Sequence, residues 1–332
     1  MRITVTGAAG FIGAHLSRFL IERGHQVQGI DSLDPYYSVN LKKMRVKEIE
    51  TRFEPDEFRF IHLDICEEQV VGKIAEYEPE VVFHLAAQAG VRQNLKGLKS
   101  YSRNNIEGFL RILEAVKVVK PRNFLFASSS SVYGSESTSP FNESEKNLFP
   151  SSIYGVTKLA NELLARAVMK DSETRCRGLR FFTVYGPGGR PDMAYFRAIA
   201  VALLDQEFTI YGSGDVRRDF TYVDDVIESI YLLNSELMNR QSGHFDVVNI
   251  GGGNPVSINE MLEIVGNISN RKISLKRENA SRDDLPITFC DPQYLFSLID
   301  KKSFTPIESG LKKTFEWFES KSKEELGDWL RP

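Results

Sequence analysis

At 332 residues the chain is long enough for two domains of roughly 150 residues or one large one. A composition of 42% hydrophobic and 26% charged residues, with 24 Gly and 13 Pro, excludes collagen-like, coiled-coil and disordered chains. The formal charge is only −3 and no basic block occurs, so no nucleic-acid partner is expected.

Cys66, Cys176 and Cys290 fall in no C-x-x-C spacing and read as reduced thiols of a cytoplasmic protein. The histidines form no ligand spacing, so no metal is expected. The first residues run straight into a strand-like segment, so no signal peptide is expected. No apolar run approaches the roughly 20 residues of a membrane helix, so no membrane partner is expected either.

In chain order, Arg2–Thr6 is a β-branched run closed by Gly7 and predicts a strand. Residues 11–23 carry Phe11, Ile12, Leu16, Phe19 and Leu20 at helical spacing, with Gly24 as the stop. A strand at 26–31, a helix at 40–50 and a strand at 58–63 follow. The alternation goes on with a helix at 67–77, a strand at 81–86, a helix at 104–119 and a strand at 123–128. Such alternation implies right-handed crossovers and an α/β fold, a Rossmann-type doubly wound parallel sheet. Ligands on such sheets sit beyond the carboxyl ends of the strands. Gly7, Asp31, Asp64, Ala86-Ala87-Gln88 and Ser128–Ser131 cluster at those ends.

Beyond residue 180 aromatic, Gly and Pro residues thicken, and strands at 208–211 and 247–250 look isolated. Residues 1–180 are therefore expected to form the cofactor domain. Residues 181–332 should form a smaller C-terminal α/β substrate domain, some of it after 215 packing back on the first. The charged tail from Glu319 is expected to fray.

The first motif is Gly7-Ala-Ala-Gly10-Phe11-Ile12-Gly13, between strand and helix. Its glycines suit a tight turn, close approach of a pyrophosphate, and close helix–strand packing; the helix N-terminus adds free N–H groups. Asp31 follows at the end of the second strand, where a carboxylate accepts from ribose hydroxyls and repels a 2′-phosphate. No Arg follows it in Ser32-Leu33-Asp34, so NAD is favoured over NADP. Ser32, Ile65 and Leu85-Ala86-Ala87 complete the expected cofactor crevice. Asp64 serves equally well as an adenine contact or as a helix N-cap.

The second motif is Tyr154-Gly-Val-Thr-Lys158 at the start of a helix. Positions i and i+4 share a face, so phenol and ammonium point into one cleft. Free tyrosine, at about 10, is too weakly acidic for a base at neutral pH; an adjacent Lys and a nicotinamide cation would lower it. Lys158 can also bond the nicotinamide ribose. The Ser128–Ser131 run ends the strand at 123–128, and its hydroxyls can bind a sugar oxygen and relay its proton to Tyr154; Ser129 is the expected catalytic one.

With the glycine loop, serine run and Tyr154/Lys158 pair stand Arg218-Asp219-Phe-Thr-Tyr-Val-Asp224-Asp225 and Arg282-Asp283-Asp284-Leu-Pro. In this order they resemble the extended short-chain dehydrogenase/reductases of the nucleotide-sugar epimerase/dehydratase family, from Met1 to about Phe318. The resemblance implies a Ser129, Tyr154, Lys158 triad, a UDP diphosphate clamped by Arg218 and Arg282, and a uridine ribose held by Asp284. It also implies a homodimer. Guanidinium forks match phosphate geometry, which agrees with the clamp; Arg217 is expected at the solvated surface.

Two further segments, Gly189-Arg190-Pro-Asp192-Met-Ala194 and Asp31-Ser-Leu-Asp34-Pro-Tyr36-Tyr37-Ser38 with Leu41-Lys42, are similar to the UDP-glucuronate 4-epimerase group. So is Ala89-Gly90-Val91-Arg92. That group usually carries Trp where this chain has Gly188. A hexuronate needs its C6 carboxylate held, and Ser129, Ser130, Ser131, Thr183 and Arg190 are the expected contacts; Arg92 is an expected substrate-binding residue. Arg190 reads equally well as a loop residue capped by Asp192, and Tyr36 and Tyr37 as lid aromatics or as packing.

The acid that accompanies the serine position in related 4,6-dehydratases and decarboxylases is absent, which favours epimerisation. The alternatives are a 4-epimerase of UDP-glucose or UDP-N-acetylglucosamine, and then a UDP-glucuronate decarboxylase. A non-catalytic NAD sensor or scaffold would predict a broken Ser/Tyr/Lys set, and the set is intact.

Overall fold

The computed structural model describes residues 1–90, 98–279, 285–301 and 303–331. Strand β1, Arg2–Thr6, is buried from Ile3 onward, as a strand covered on both faces must be. Around it lies a seven-stranded sheet. In spatial order it holds Phe245–Ile250 (β10), Arg175–Phe181 (β6), Asn123–Ser129 (β5), Val81–His84 (β4), β1, Gln26–Asp31 (β2) and Phe58–His62 (β3). Every pairing in it is parallel. The order reverses between β1 and β4, which opens a crevice at their carboxyl ends.

The connecting helices are α1 (Phe11–Ile21), α2 (Val39–Arg52), α3 (Gln69–Tyr77), α5 (Gly108–Val119) and α6 (Ile153–Met169). Between β4 and α5 the chain passes through a short α4 (Leu98–Tyr101) and a π-turn at Ser102–Glu107. The helix expected at 104–119 thus begins earlier, and its first part is underwound into a wider turn. The π-turn buries Asn105, whose side chain bonds Gln88 O and Thr157 Oγ1, both at 3.0 Å. It thereby ties the end of β4 to α6.

Two expectations about the second half are corrected. The strand at 247–250 is not isolated: as part of β10 it pairs with β6 in the main sheet, and α8 (Val223–Leu237) packs against α1 and β5. The tail does not fray. Lys323–Trp329 forms α12, started by a Ser322/Glu325 capping box, and buries Leu326 and Trp329. Trp329 stacks on Trp317 of α11 (Ile307–Glu319) with centroids 5.5 Å apart.

The remaining elements cover the crevice. They are β7 (Thr183–Tyr185), α7 (Ala194–Leu204), β8 (Glu207–Tyr211), β9 (Arg217–Tyr222), β11 (Pro255–Ser257), α9 (Ile258–Ser269), β12 (Ser274–Glu278), β13 (Ile287–Thr288) and α10 (Gln293–Leu298). The strand expected at 208–211 pairs in parallel with β12. No helix among the described residues is long and apolar enough to cross a membrane.

Candidate active site

A cavity of about 780 Å³ runs along the carboxyl ends of the main sheet and under the β7–β9 elements. That volume suits a large organic ligand. Gly7, Gly10, Phe11, Ile12, Gly13, Asp31, Ser32, Asp64, Ile65, Leu85, Ala86 and Ala87 line one end. Ser129, Ser130, Ser131, Tyr154, Lys158, Thr183, Arg190 and Arg218 line the rest. Of the site residues expected from the sequence, Arg92, Arg282 and Asp284 lie outside the described residues.

The glycine loop is built for backbone approach. A Cβ on Gly13 would fall 2.0 Å from the Gly7 carbonyl oxygen, and one on Gly7 2.7 Å from the Ala86 nitrogen. Gly10 precedes α1 with no side-chain cap, so first-turn N–H groups remain for an anion. Asp31 accepts from Ala9 N at 3.1 Å and Leu33 N at 2.8 Å, one bond per carboxylate oxygen. Lone pairs remain on both oxygens for ribose hydroxyls. The loop and its acid therefore fit a dinucleotide.

Asp64 is not a helix N-cap: α3 starts after Glu68, and Asp64 instead accepts from Cys66 N at 2.9 Å and pairs with Arg103 at 2.6 Å. Burial pushes its carboxyl up, but these two partners prevail and hold it below the usual carboxylate range.

Ser152 caps α6 by accepting from Gly155 N at 3.0 Å and so fixes where the helix begins. Tyr154 and Lys158 then sit one turn apart, the ammonium 5.8 Å from the ring centroid. Lys158 is 1% exposed and donates to Ala127 O at 2.9 Å. Burial pushes its ammonium down to about 8, while Glu162, one turn further on, works against that fall. Glu162 is itself held by Arg180, at 2.9 and 2.8 Å, in a buried pair joining α6 to β6.

For Tyr154 the expected lowering is not what the protein alone produces. Burial raises the phenol above the usual tyrosine value, although Arg190 and the Ser129 hydroxyl pull it down. The physical reason is desolvation: a phenolate in this cleft is stable only when cations face it. Ser129 accepts from Ser131 N at 3.1 Å and donates to Ser131 Oγ at 3.2 Å, so one member of the serine run orders the other.

Arg190 is held by Asp192, as one of its two readings expected. Its Nε bonds Asp192 at 3.0 Å, and the side chain still lines the cavity. Burial opposes its charge, but Asp192 prevails and keeps it protonated. Arg218 also lines the cavity and donates to Leu285 O at 2.8 Å. Arg217 instead pairs with Glu260 at 3.0 Å.

Gly188 stands at φ +63°, and a Cβ there would meet Trp317 at 3.7 Å. The α11 indole thus packs beside the position where the resembled group usually carries Trp.

Sequence reasoning missed Arg45 and Asp219. Arg45 bonds the Ala9, Gly188 and Gly189 carbonyls and the Tyr37 hydroxyl. Asp219 accepts from the backbone N–H groups of Gly252, Gly253 and Cys290, which braces the strand bearing Arg218. Asp219 lay inside a quoted motif. Arg45 had no signal, since it follows Lys42 and Lys43 on a helix crowded with charged residues.

A crevice at the strand-order reversal, an anion-ready glycine loop and a buried Tyr/Lys pair define a dinucleotide-dependent enzyme fold of the extended dehydrogenase type. The chain belongs to the NAD dependent epimerase/dehydratase family, which matches residues 3–251. Protein CapI of Staphylococcus aureus is 39% identical over 96% of this chain and 98% of its own. The UDP-glucuronate 4-epimerase of Thermodesulfobacterium geofontis is 37% identical, covering 94% of each chain. Among solved structures, UDP-glucuronic acid 4-epimerase from Bacillus cereus, in complex with UDP-glucuronic acid and NAD, superposes with a TM-score of 0.87. It is 33% identical, over 96% of this chain and 99% of that one.

Proposed function

We propose that the protein is an NAD-dependent UDP-sugar 4-epimerase that interconverts UDP-glucuronate and UDP-galacturonate. The observation that carries this reading is one cavity holding Ser129, Tyr154 and Lys158 together with Arg190, Ser130, Ser131 and Thr183. The first three suit oxidation and reduction at a sugar hydroxyl; the others offer one charge and several hydroxyls to a carboxylate. The likeness to the Bacillus cereus enzyme supports the same substrate.

In this reading residues 1–180 supply most of the NAD site and residues 181–332 most of the nucleotide-sugar site. Gly7, Gly10, Phe11, Ile12 and Gly13 receive the cofactor pyrophosphate, and Asp31 with Ser32 the adenosine ribose. Asp64, Ile65, Leu85, Ala86 and Ala87 line the rest. Arg218 takes the UDP diphosphate together with Arg282, and Asp284 the uridine ribose.

NAD, when bound, supplies the acceptor and then the donor for the hydride at C4 of the sugar. Tyr154 takes the 4-hydroxyl proton through or beside the Ser129 hydroxyl. Lys158 holds the cofactor ribose and adds positive charge that favours the phenolate. The 4-keto sugar then turns its opposite face, and Tyr154 returns the proton to the new hydroxyl. A 4-keto uronate is a β-keto acid and loses CO₂ readily. Neutral hydroxyls of Ser129–Ser131 and the Arg190 guanidinium hold the carboxylate in the plane of the carbonyl, where the C–C bond cannot overlap with it, and Arg92 is a further substrate-binding residue.

The homodimer belongs to the same proposal: α5 and α6 leave Leu110, Val156 and Leu163 exposed, a face suited to a second copy. A cytoplasmic location fits three unpaired thiols.

UDP-glucuronate deuterated at C4 is the test. The product should be UDP-galacturonate with deuterium kept at C4 and no solvent hydrogen at C5. Release of CO₂ or exchange at C5 would refute the reading.

A further inference from the structure

The chain leaves β7 through Gly186-Pro187-Gly188-Gly189 and then reaches Arg190. Such a run has almost no side chains with which to fix itself, and its backbone freedom is costly to remove. It is fastened from outside. The Pro187 carbonyl accepts from His15 Nε2 at 2.9 Å, that of Gly188 from Arg45 Nε at 2.9 Å, and that of Gly189 from Arg45 Nη2 at 2.8 Å. Both donors stand on helices of the dinucleotide-binding half: His15 on α1 and Arg45 on α2.

The remaining nitrogen of the same guanidinium, Nη1, donates to the Ala9 carbonyl at 2.9 Å and the Tyr37 hydroxyl at 2.7 Å. Ala9 lies inside the glycine loop, between Gly7 and Gly10. Arg45 is 4% exposed, and these hydrogen-bond partners are four neutral oxygens. Its charge is therefore spent on holding loops, and a lost partner would strand a buried donor. A guanidinium is a rigid plane, so Ala9 on one edge cannot shift without moving Gly188 and Gly189 on the other.

We propose that Arg45, assisted by His15, is a positioning residue that ties the cofactor's glycine loop to the loop carrying Arg190, so that NAD and the UDP-sugar each tighten the other's binding. The identity of the two ligands rests on the function proposed above. Lys cannot replace Arg45, because one ammonium cannot span the loops.

The dissociation rate of bound NADH, followed by its fluorescence with and without UDP-glucuronate, tests the coupling. In the wild type UDP-glucuronate should slow release by at least about fivefold, the lower end of ordinary coupling. Arg45→Met and Arg45→Lys should both abolish the slowing. Calorimetry on Arg45→Met should show UDP-glucuronate weakened at least about tenfold more than UDP, since UDP does not reach Arg190. An undiminished slowing, or equal weakening of the two ligands, overturns the proposal.

If Arg45→Met does not fold, His15→Phe and His15→Gln decide. Only the glutamine keeps an Nε2 donor, so it should restore coupling that the phenylalanine loses; equal coupling in both overturns the proposal. If the wild type prefers a neutral UDP-hexose, the substrate assignment fails. The NADH measurement with that hexose then still decides the role of Arg45.

Discussion

Arg190→Ala should cost the enzyme its preference for a uronate. A charge-assisted hydrogen bond is worth roughly 1.5–3 kcal/mol. Because Asp192 already occupies part of the guanidinium and the side chain is 23% exposed, the lower part of that range applies. The expected loss is about 1.5–2 kcal/mol, or roughly 10–30-fold in kcat/KM for UDP-glucuronate. A neutral UDP-hexose should lose much less. The variant carries a second signature. Burial raises the Tyr154 phenol and Arg190 opposes the rise, so removing Arg190 lifts it further. Activity that depends on the phenolate should then climb at higher pH than in the wild type. The assay is kcat/KM for UDP-glucuronate and UDP-glucose across a pH series. Equal losses for both sugars with an unmoved pH profile would refute the role given to Arg190.

Tyr154→Phe should lower kcat by roughly 10²–10⁴-fold while calorimetric binding of UDP-glucuronate persists; retention of most of the rate would show that another group is the base. Asp31→Ala should narrow the NAD over NADP preference by about tenfold, since the carboxylate that repels a 2′-phosphate is gone. Equal affinities in the wild type would remove the argument. Trp329→Ala, at a side chain 2% exposed against Trp317 and Phe196, should cost about 3–5 kcal/mol in urea unfolding. A loss below about 1 kcal/mol would mean that α12 adds little to the fold.

The first half of the fold is written locally. Its strands are short apolar runs and its helices are amphipathic, so β1–β5 could be read in order, whereas β6, Arg175–Phe181, with three arginines in its seven residues, was missed. What sequence reading missed depends on distant partners. β10 looks isolated because its neighbour β6 lies far back in the chain. The tail looks frayed because Lys323, Glu324 and Glu325 hide a capping box and a tryptophan whose partner, Trp317, is on another helix. The cavity's motif residues were legible because glycine loops, serine runs and Tyr-x-x-x-Lys pairs carry their chemistry in their spacing. Arg45 was not. Between Met44 and Val46, near Lys42 and Lys43, nothing marks it as buried, and its partners come from three separate segments.

UDP-glucuronate, UDP-glucose, UDP-N-acetylglucosamine and their C4 epimers, each incubated with purified enzyme and resolved by NMR, test the central claim most directly. UDP-glucuronate and UDP-galacturonate should interconvert fastest, without added NAD if the cofactor copurifies. Faster epimerisation of a neutral UDP-hexose, or a UDP-pentose as the main product, would contradict it.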